Sequence, residues 1–292
     1  MSIKFSVCIT YFYNRNNLND LLKELKIEEN KDIEVLIRND NPEIDLKINN
    51  YPRVKIFQNK QKPIGEIESI RFLLANSNGD YVSIIADDDL IDSNMFEFIR
   101  NDNFKHKTYL SPSTTNKREF RDKKDLLELS SKKKILMFLS RKLYLSGTVG
   151  AVYQKDFLLN IFKKLKLKTY LLDVLLLLKI LDESCLICDH YYGFNNTETS
   201  RVSSKKIDTD VFVKDYIEVV NNIENKVILE KFVIFILLEY YSIVHREEKF
   251  KIRKFYNFLI LNLKIKKIDN KSKIKLFFLG NFYLLKLILK AI

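Results

Sequence analysis

Three consecutive carboxylates, Asp87, Asp88 and Asp89, follow an apolar run at residues 81–86 that is typical of a buried strand. Adjacent carboxylates repel one another, and each raises the pKa of its neighbours unless a cation relieves the repulsion. The N-terminus of the helix that follows would favour one such charge, but not three. Carboxylates combined with substrate oxygens suit Mg²⁺ or Mn²⁺. The triplet therefore predicts a divalent metal that is carried together with a diphosphate.

The first two predicted strands, like the fourth, run into polar residues, which are Thr10, Tyr13, Asn14, Asn39 and Asp40. In an open parallel sheet, ligands bind beyond the carboxyl ends of the strands, where the strand order reverses. These side chains are therefore expected to share one edge with the acidic triplet. For Asn39 and Asp40 a simpler interpretation stays open, because exposed loops are commonly polar.

The first hundred residues alternate between strand-like and helix-like patterns. Strands are predicted at residues 4–10, 33–37, 54–57 and 81–86, and the helices between them carry apolar residues at a spacing of three and four. This alternation predicts an α/β fold with a mixed, mostly parallel sheet and helices on both faces. Further strands are predicted at residues 147–154 and 185–194, and Arg71 is expected on a solvated helical face.

The charge of the chain is concentrated at its end. The 292 residues carry a net charge of +12, and the segment from Arg246 onward holds 13 Lys and Arg against three Asp and Glu. The rest is almost neutral, so a protein that binds nucleic acid along its whole length is not expected. With three cysteines and no signal-peptide pattern, a cytoplasmic location is expected.

Beyond about residue 204 the pattern becomes helical. We therefore predict a catalytic domain at residues 1–204 and a helical C-terminal region at residues 205–292. The last helix places Lys271, Lys275, Lys286 and Lys290 on one side, opposite a broad apolar surface. Such a basic amphipathic helix can lie in an anionic membrane surface, or it can pack on the catalytic domain. Both interpretations remain open.

Three segments together resemble the opening motifs of family 2 glycosyltransferases, which have the GT-A fold. They are FSVCITYFYNRNNLNDLLKEL, IEVLIRNDNPEID and GDYVSIIADDDLID. The resemblance is clear over residues 3–100 and fainter to about residue 200. It implies a nucleotide-sugar half at about residues 1–100 and an acceptor half at about residues 101–204.

The resemblance also implies roles for individual residues. Thr10, Tyr13 and Asn14 would line the nucleotide pocket, and Asp40 would hydrogen-bond the base. Asn39, in place of the first acid of the family's pair, would also belong to the nucleotide-sugar site. Asp87 would lie near the ribose and the donor sugar, while Asp88 and Asp89 would ligate Mn²⁺ or Mg²⁺.

In such enzymes a carboxylate at the start of a helix, downstream of a glycine-containing strand, removes the proton of the incoming hydroxyl. Asp173 is the acidic residue in the first turns of the predicted helix after SGTVGAVY, and it is flanked by Leu and Val residues. Asp173 is therefore predicted to be the general base. The alternative is a carboxylate that merely stabilises a helix N-terminus.

The resemblance thus implies an inverting, metal-dependent transfer of a sugar from a nucleotide-diphosphate donor to a hydroxyl of a glycan or lipid-linked glycan. The implied role is in a bacterial surface polysaccharide, such as a lipopolysaccharide, a lipooligosaccharide or a capsule, with the protein in the cytoplasm or at the cytoplasmic face of the inner membrane. Two alternatives fit the sequence less well. A nucleotidyltransferase would need a glycine- and lysine-rich loop after the first strand, and a non-enzymatic membrane- or nucleic-acid-binding protein gives no reason for carboxylates at one sheet edge.

Overall fold

The structure is a computed structural model of the chain. It describes residues 3–12, 18–48, 51–114, 146–165, 171–180, 185–188, 190, 192–194, 209–223, 226–246, 251–263, 265 and 268–291. The elements of these residues divide into two compact units, one formed by the strands and the helices among them and the other by the helices beyond residue 204.

The described part of the first unit contains ten strands. In chain order they are β1 (Phe5–Tyr11), β2 (Ile33–Asn39), β3 (Val54–Gln58), β4 (Tyr81–Ala86), β5 (Leu90–Ile91), β6 (Thr108–Leu110), β7 (Ser113–Thr114), β8 (Ala151–Gln154), β9 (Cys185–Ile187) and β10 (Gly193–Phe194). Seven form the main sheet in the order β3-β2-β1-β4-β8-β6-β9, and β5, β10 and β7 form a small second sheet. In the main sheet β8 is antiparallel to both of its neighbours, and the other pairs are parallel. The prediction of a mixed, mostly parallel sheet is confirmed.

The strand order reverses between β1 and β4. From β1 the chain moves outward to β2 and β3, then crosses back to pair β4 with the other side of β1. Thr10 lies opposite Arg38 of β2 and Ala86 of β4, so the carboxyl ends of the three strands are level. This is the position at which open α/β sheets bind ligands.

Five helices of the first unit are described: α1 (Leu18–Glu24), α2 (Glu66–Asn76), α3 (Asn94–Asn101), α4 (Lys155–Lys164) and α5 (Leu172–Lys179). Every residue of β1 is buried, as expected for a strand covered on both faces. One face packs in a core cluster with α1 and α3, which contribute among others Leu21, Leu22 and Phe96, and α2 packs against β1 and β2 as well. Helices therefore hold the central strands, and with them the level strand ends, in place.

Arg71 of α2, which we expected on a solvated face, instead joins two helices. Its Nε and Nη2 atoms donate to the carbonyl oxygen of Phe162, at 3.1 and 3.0 Å. This carbonyl belongs to the last turn of α4, where backbone acceptors lack helical partners. The guanidinium therefore caps α4.

The second unit contains, in its described part, α6 (Thr209–Asn222), α7 (Lys226–Arg246), α8 (Lys251–Leu263) and α9 (Asn270–Ala291). Its core is aromatic, with Phe232, Phe255 and Phe258 buried, and the rings of Tyr240 and Phe258 stack at 4.1 Å. Within the described residues, none of the helices has the length and apolar composition that crossing a membrane requires.

Candidate active site

The acidic turn, which we define as Asp87–Asp89, lies where the strand order reverses. It follows β4 directly, and the backbone N–H of Phe12, just beyond β1, donates to Oδ2 of Asp87 at 3.1 Å. The three residues are only 4 to 6% exposed. Three consecutive acidic residues therefore lie, largely out of solvent, at the edge that the sheet offers to a ligand.

The small second sheet fixes the chain that leaves the acidic turn. The N–H of Asp89 donates to the carbonyl of Ala86 at 3.3 Å, which closes the turn, and β5 then pairs with β10. Asp92 is 1% exposed, and its Oδ1 accepts the N–H of Asn94 at 2.8 Å at the start of α3. Asp92 thus accepts the first N–H of α3 from the position before the N-cap Ser93, and the carboxylates before it belong to the turn.

The donor set of the acidic turn fits a divalent metal that is shared with a substrate. Among the described residues no group of three or more His, Cys, Asp and Glu side chains is arranged as a complete metal site. Mg²⁺ characteristically takes one or two carboxylates and completes its shell with substrate phosphates and water. Two adjacent carboxylates, Asp88 and Asp89, supply that number.

Asp40 holds the loop that follows β3. Its Oδ1 accepts from Asn59 Nδ2 at 2.8 Å and from the N–H of Ile64 at 3.2 Å, and its Oδ2 accepts from the N–H of Gly65 at 3.0 Å. Gly65 has a φ of 90°, a conformation that favours glycine, and it precedes α2. A carboxylate has about four acceptor positions, so Asp40 retains capacity for about one further donor.

Asn39 is wholly buried and fixes the loop after β2. Its Nδ2 donates to the carbonyl of Ile44 at 2.6 Å and to Oε1 of Gln58 at 3.0 Å, while its Oδ1 accepts the N–H of Asn41 at 3.0 Å. Both amide hydrogens are used within the protein. Asn39 therefore shapes the site by positioning its neighbours.

The last two residues of β1 are buried at this edge. Thr10, at the end of β1, is buried with 8% of its surface exposed. Its neighbour Tyr11 is 2% exposed, and desolvation, together with the charge of Asp87, raises the pKa of its hydroxyl. Tyr13 and Asn14 lie outside the described residues.

A second group of polar side chains surrounds Asp173 in the first turn of α5. Thr148 Oγ1 donates to Asp173 Oδ1 at 2.7 Å, and Ser146 Oγ donates to the same atom at 3.0 Å. Ser146 Oγ also accepts the N–H groups of Thr148 and Val149, at 3.1 and 3.0 Å. Because those contacts use its lone pairs, its single hydrogen points to Asp173. Neither hydroxyl engages Oδ2.

Gly147 allows this close approach. A Cβ atom at Gly147 would lie 2.4 Å from the carbonyl oxygen of Asp173 and 2.7 Å from Cβ of Leu176. On the other side, the buried Tyr153 of β8 donates its hydroxyl hydrogen to the carbonyl of Gly147 at 2.7 Å. The turn is thus held between β8 and α5. We call Ser146, Gly147 and Thr148 the hydroxyl turn.

The surroundings of Asp173 shift its proton affinity in two directions. Asp173 is exposed to solvent, yet many protein atoms lie close to its carboxyl group. The resulting desolvation raises the pKa of Asp173 above its ordinary value, and the hydrogen bonds from Thr148 and Ser146 oppose that rise. A carboxylate in this setting is a better proton acceptor than a fully solvated one.

A short series of backbone contacts connects the acidic turn to the hydroxyl turn. Ile91 of β5, two residues after Asp89, pairs with Gly193 of β10. A Cβ atom at Gly150 would lie 3.2 Å from Cα of Gly193, so these two glycines pack backbone to backbone. Gly150 in turn is two residues from Thr148. The fold therefore brings both groups of polar residues into the same part of the first unit.

Sequence reasoning missed Asn59, Ser146, Thr148 and Tyr153. Asn59 directly follows β3. The rule that polar residues just after parallel strands lie at the ligand-binding edge would therefore have found it. The hydroxyl turn carries a weaker signal, since two hydroxyl residues around a glycine are common in loops. Nothing in the local sequence marks Tyr153, because its partner is a backbone carbonyl.

The sequence over residues 6–157 matches the family described as Glycosyl transferase family 2. This match spans more than half of the 292 residues. The chain therefore belongs to glycosyl transferase family 2, and it is a glycosyltransferase. A search among curated proteins finds no match.

Solved structures share the fold at low sequence identity. The structure of S. aureus TarS 1-349 in complex with UDP-GlcNAc superimposes with a TM-score of 0.65 and 14% identity, covering 92% of this chain and 83% of that one. The mannosyltransferase PcManGT from Pyrobaculum calidifontis, in complex with GDP-Man and Mn²⁺, gives a TM-score of 0.54 and 10% identity, covering 99% and 86%. The predicted GT-A architecture is confirmed.

Proposed function

We propose that the protein transfers a sugar from a nucleotide-diphosphate donor to a hydroxyl of a glycan acceptor, in a metal-dependent reaction that inverts the anomeric carbon. The observation that carries this proposal is the acidic turn, with its three buried carboxylates where the strand order reverses. Neighbours with this fold were solved with UDP-GlcNAc and with GDP-Man, which are donors of this class.

The donor lies, in this proposal, along the carboxyl ends of β1, β2 and β4. Thr10 and Asp87 contact the nucleotide and the sugar, together with Tyr13 and Asn14. Asp40 takes one hydrogen bond from the base through its remaining acceptor capacity. Its three hydrogen bonds to Asn59, Ile64 and Gly65 keep it in place while it does so.

Asp88 and Asp89 hold the metal, Mn²⁺ or Mg²⁺. A divalent cation bound there supplies charge stabilisation for the departing diphosphate. Without a cation, adding a diphosphate next to the three carboxylates would bring like charges together. The carboxylates therefore make donor binding conditional on a metal.

Asp173 acts as the general base. Oδ2, which neither hydroxyl of the hydroxyl turn engages, takes the proton of the acceptor hydroxyl. The acceptor oxygen forms a bond to the anomeric carbon, while the bond from that carbon to the diphosphate oxygen breaks and its electron pair leaves with the diphosphate. Attack opposite the leaving group inverts the configuration. Ser146 and Thr148 are positioning residues, since they orient Asp173.

The acceptor in this proposal is a glycan or lipid-linked glycan of a bacterial surface polysaccharide, such as a lipopolysaccharide, lipooligosaccharide or capsule. The protein would then work at the cytoplasmic face of the inner membrane. The family resemblance supports the class of acceptor, and the basic C-terminal region supports the location.

The direct test is a transfer assay with a panel of nucleotide sugars, Mn²⁺ and glycan acceptors, in which the wild type is compared with Asp173→Asn. We expect turnover with at least one donor, loss of turnover in EDTA, and a product of inverted configuration by NMR. Asp173→Asn should lower the rate by about 10²- to 10⁴-fold, because a general base contributes about that much, while donor affinity stays the same. Undiminished turnover by this variant would remove Asp173 from the mechanism.

A further inference from the structure

Helix α9 presents large apolar side chains to solvent. Ile274, Phe277 and Phe278 are 58, 49 and 69% exposed, and Phe282, one turn further on, is 53% exposed. Their spacing of three and four residues places them on one side of the helix. We call Ile274, Phe277 and Phe278 the aromatic face. Contiguous apolar surface of this kind marks an interaction site on a folded protein.

The aromatic face is not the side by which α9 packs in its own unit. That side includes Leu276, which is 1% exposed, and Gly280, where a Cβ atom would lie 2.3 Å from Cδ1 of Leu259 in α8. The ring of Tyr283 contacts that of Tyr241 in α7 at a centroid distance of 4.6 Å. The helix is thus anchored on one side and presents a different apolar side outward.

The charged residues of α9 itself have one sign. After Asp269 the chain contains five lysines and no acidic residue. Lys271 and Lys275 are exposed, and they precede Phe278 by seven and three residues, which puts them beside it. The expectation that these lysines lie opposite the apolar surface is therefore wrong for the exposed phenylalanines. Lysines that flank aromatic side chains match a surface that is apolar inside and anionic outside.

We propose that the aromatic face of α9 binds the surface of an anionic lipid bilayer, with the helix lying in the plane of the interface. The phenylalanine rings enter the boundary between head groups and acyl chains, and the flanking lysines contact anionic head groups. The helix does not span the bilayer, in keeping with its lysines at both ends.

A second copy of this chain is the alternative partner for the aromatic face. The charges of α9 argue against that alternative. Two copies of α9 meeting face to face would bring their lysines together without any acidic partner from the same helix. An anionic bilayer provides both the apolar layer and the opposite charge.

The experiment is cosedimentation of the full chain with vesicles of phosphatidylcholine, with or without phosphatidylglycerol. We expect binding only to the anionic vesicles, with an affinity that falls as salt rises. Phe277→Ser/Phe278→Ser and Lys271→Glu/Lys275→Glu should each weaken binding by about tenfold or more, since each removes one of the two attractions. The matched controls are Ile217→Ser/Val227→Ser, at exposed apolar positions elsewhere in the same unit, and Lys31→Glu/Lys163→Glu.

Two results would overturn this proposal. One is equal binding by wild type and both α9 variants, at unchanged melting temperature. The other is a wild-type oligomer that the phenylalanine substitutions dissociate and that shows no affinity for vesicles, which would assign the face to a second copy. Because the readout is binding alone, the result does not depend on transfer activity.

Discussion

At the scale of single residues, the carboxylates of Asp40, Asp87 and Asp173 have different surroundings. Asp40 accepts three hydrogen bonds from its own protein and holds a loop. Asp87 accepts a hydrogen bond from the backbone N–H of Phe12, just beyond β1, and is followed by two further acidic residues. Asp173 receives two hydroxyl hydrogens on one oxygen only. Burial and hydrogen bonding therefore give the same side-chain chemistry three different roles.

The hydroxyl turn predicts a specific pH dependence. Hydrogen bonds from Ser146 and Thr148 favour the charged form of Asp173 and lower its pKa, while desolvation raises it. In Thr148→Val the opposing bond is lost, so the pKa of Asp173 should rise. Because the base must be ionised, the acidic limb of the pH–rate profile should move to higher pH.

The measurement is the pH dependence of kcat/KM for wild type and Thr148→Val, with Thr114→Val as a control at a buried threonine outside the hydroxyl turn. Tyr153 is a titratable neighbour of Asp173, and burial raises the pKa of Tyr153 further away from the acidic limb. A uniform loss of rate with an unmoved limb would contradict the assignment and indicate a structural role for Thr148.

At the scale of elements, the site depends on close contacts between strands, turns and a helix. The sequence predicted one strand at residues 147–154, but β8 begins at Ala151, because the residues before it form the turns that contact α5 and β10. It also predicted one strand at residues 185–194. The structure has β9 and β10 in different sheets instead, since Ser111 accepts the N–H of Tyr192 and donates to the carbonyl of His190.

The close contact of Gly147 with α5 predicts that an alanine at this position lowers both stability and activity. Gly147→Ala should push α5 away from the hydroxyl turn, because the new methyl group would lie 2.4 Å from a backbone oxygen that cannot rotate aside. Overpacking of this kind costs about 1–3 kcal/mol, and it displaces Asp173 from its hydroxyl partners. We expect a lower melting temperature and a large loss of kcat.

The control for Gly147→Ala is a substitution at a glycine with open space. A Cβ at Gly65 would meet no atom within 4 Å, although its φ of 90° makes any side chain strained. Gly65→Ala should therefore be destabilising through its backbone and, because the N–H of Gly65 holds Asp40, it should raise KM for the donor while leaving kcat close to that of the wild type. If Gly147→Ala retained full kcat, the contact between α5 and the hydroxyl turn would not be needed for catalysis.

At the scale of the whole molecule, the sequence predicted the class of fold and the sheet edge at which the acidic turn lies. Both follow from local patterns, since apolar runs predict the strands and the polar residues after them must lie at the carboxyl ends. The partners of Asp40, Arg71 and Asp173 could not be predicted in this way. They depend on tertiary contacts between residues tens of positions apart, such as Arg71 with the carbonyl of Phe162.

The most direct measurement is calorimetric titration of the protein with nucleotide-diphosphate sugars in the presence of Mn²⁺. We predict that at least one donor produces heat of binding and that EDTA removes this heat. In Asp88→Ala, the heat measured with Mn²⁺ should be the same as the heat measured with EDTA. The physical reason is that, in the proposed mechanism, the acidic turn would bind the diphosphate only through a cation. Heat that is equal in the wild type and in Asp88→Ala, with Mn²⁺ and with EDTA alike, would contradict the account.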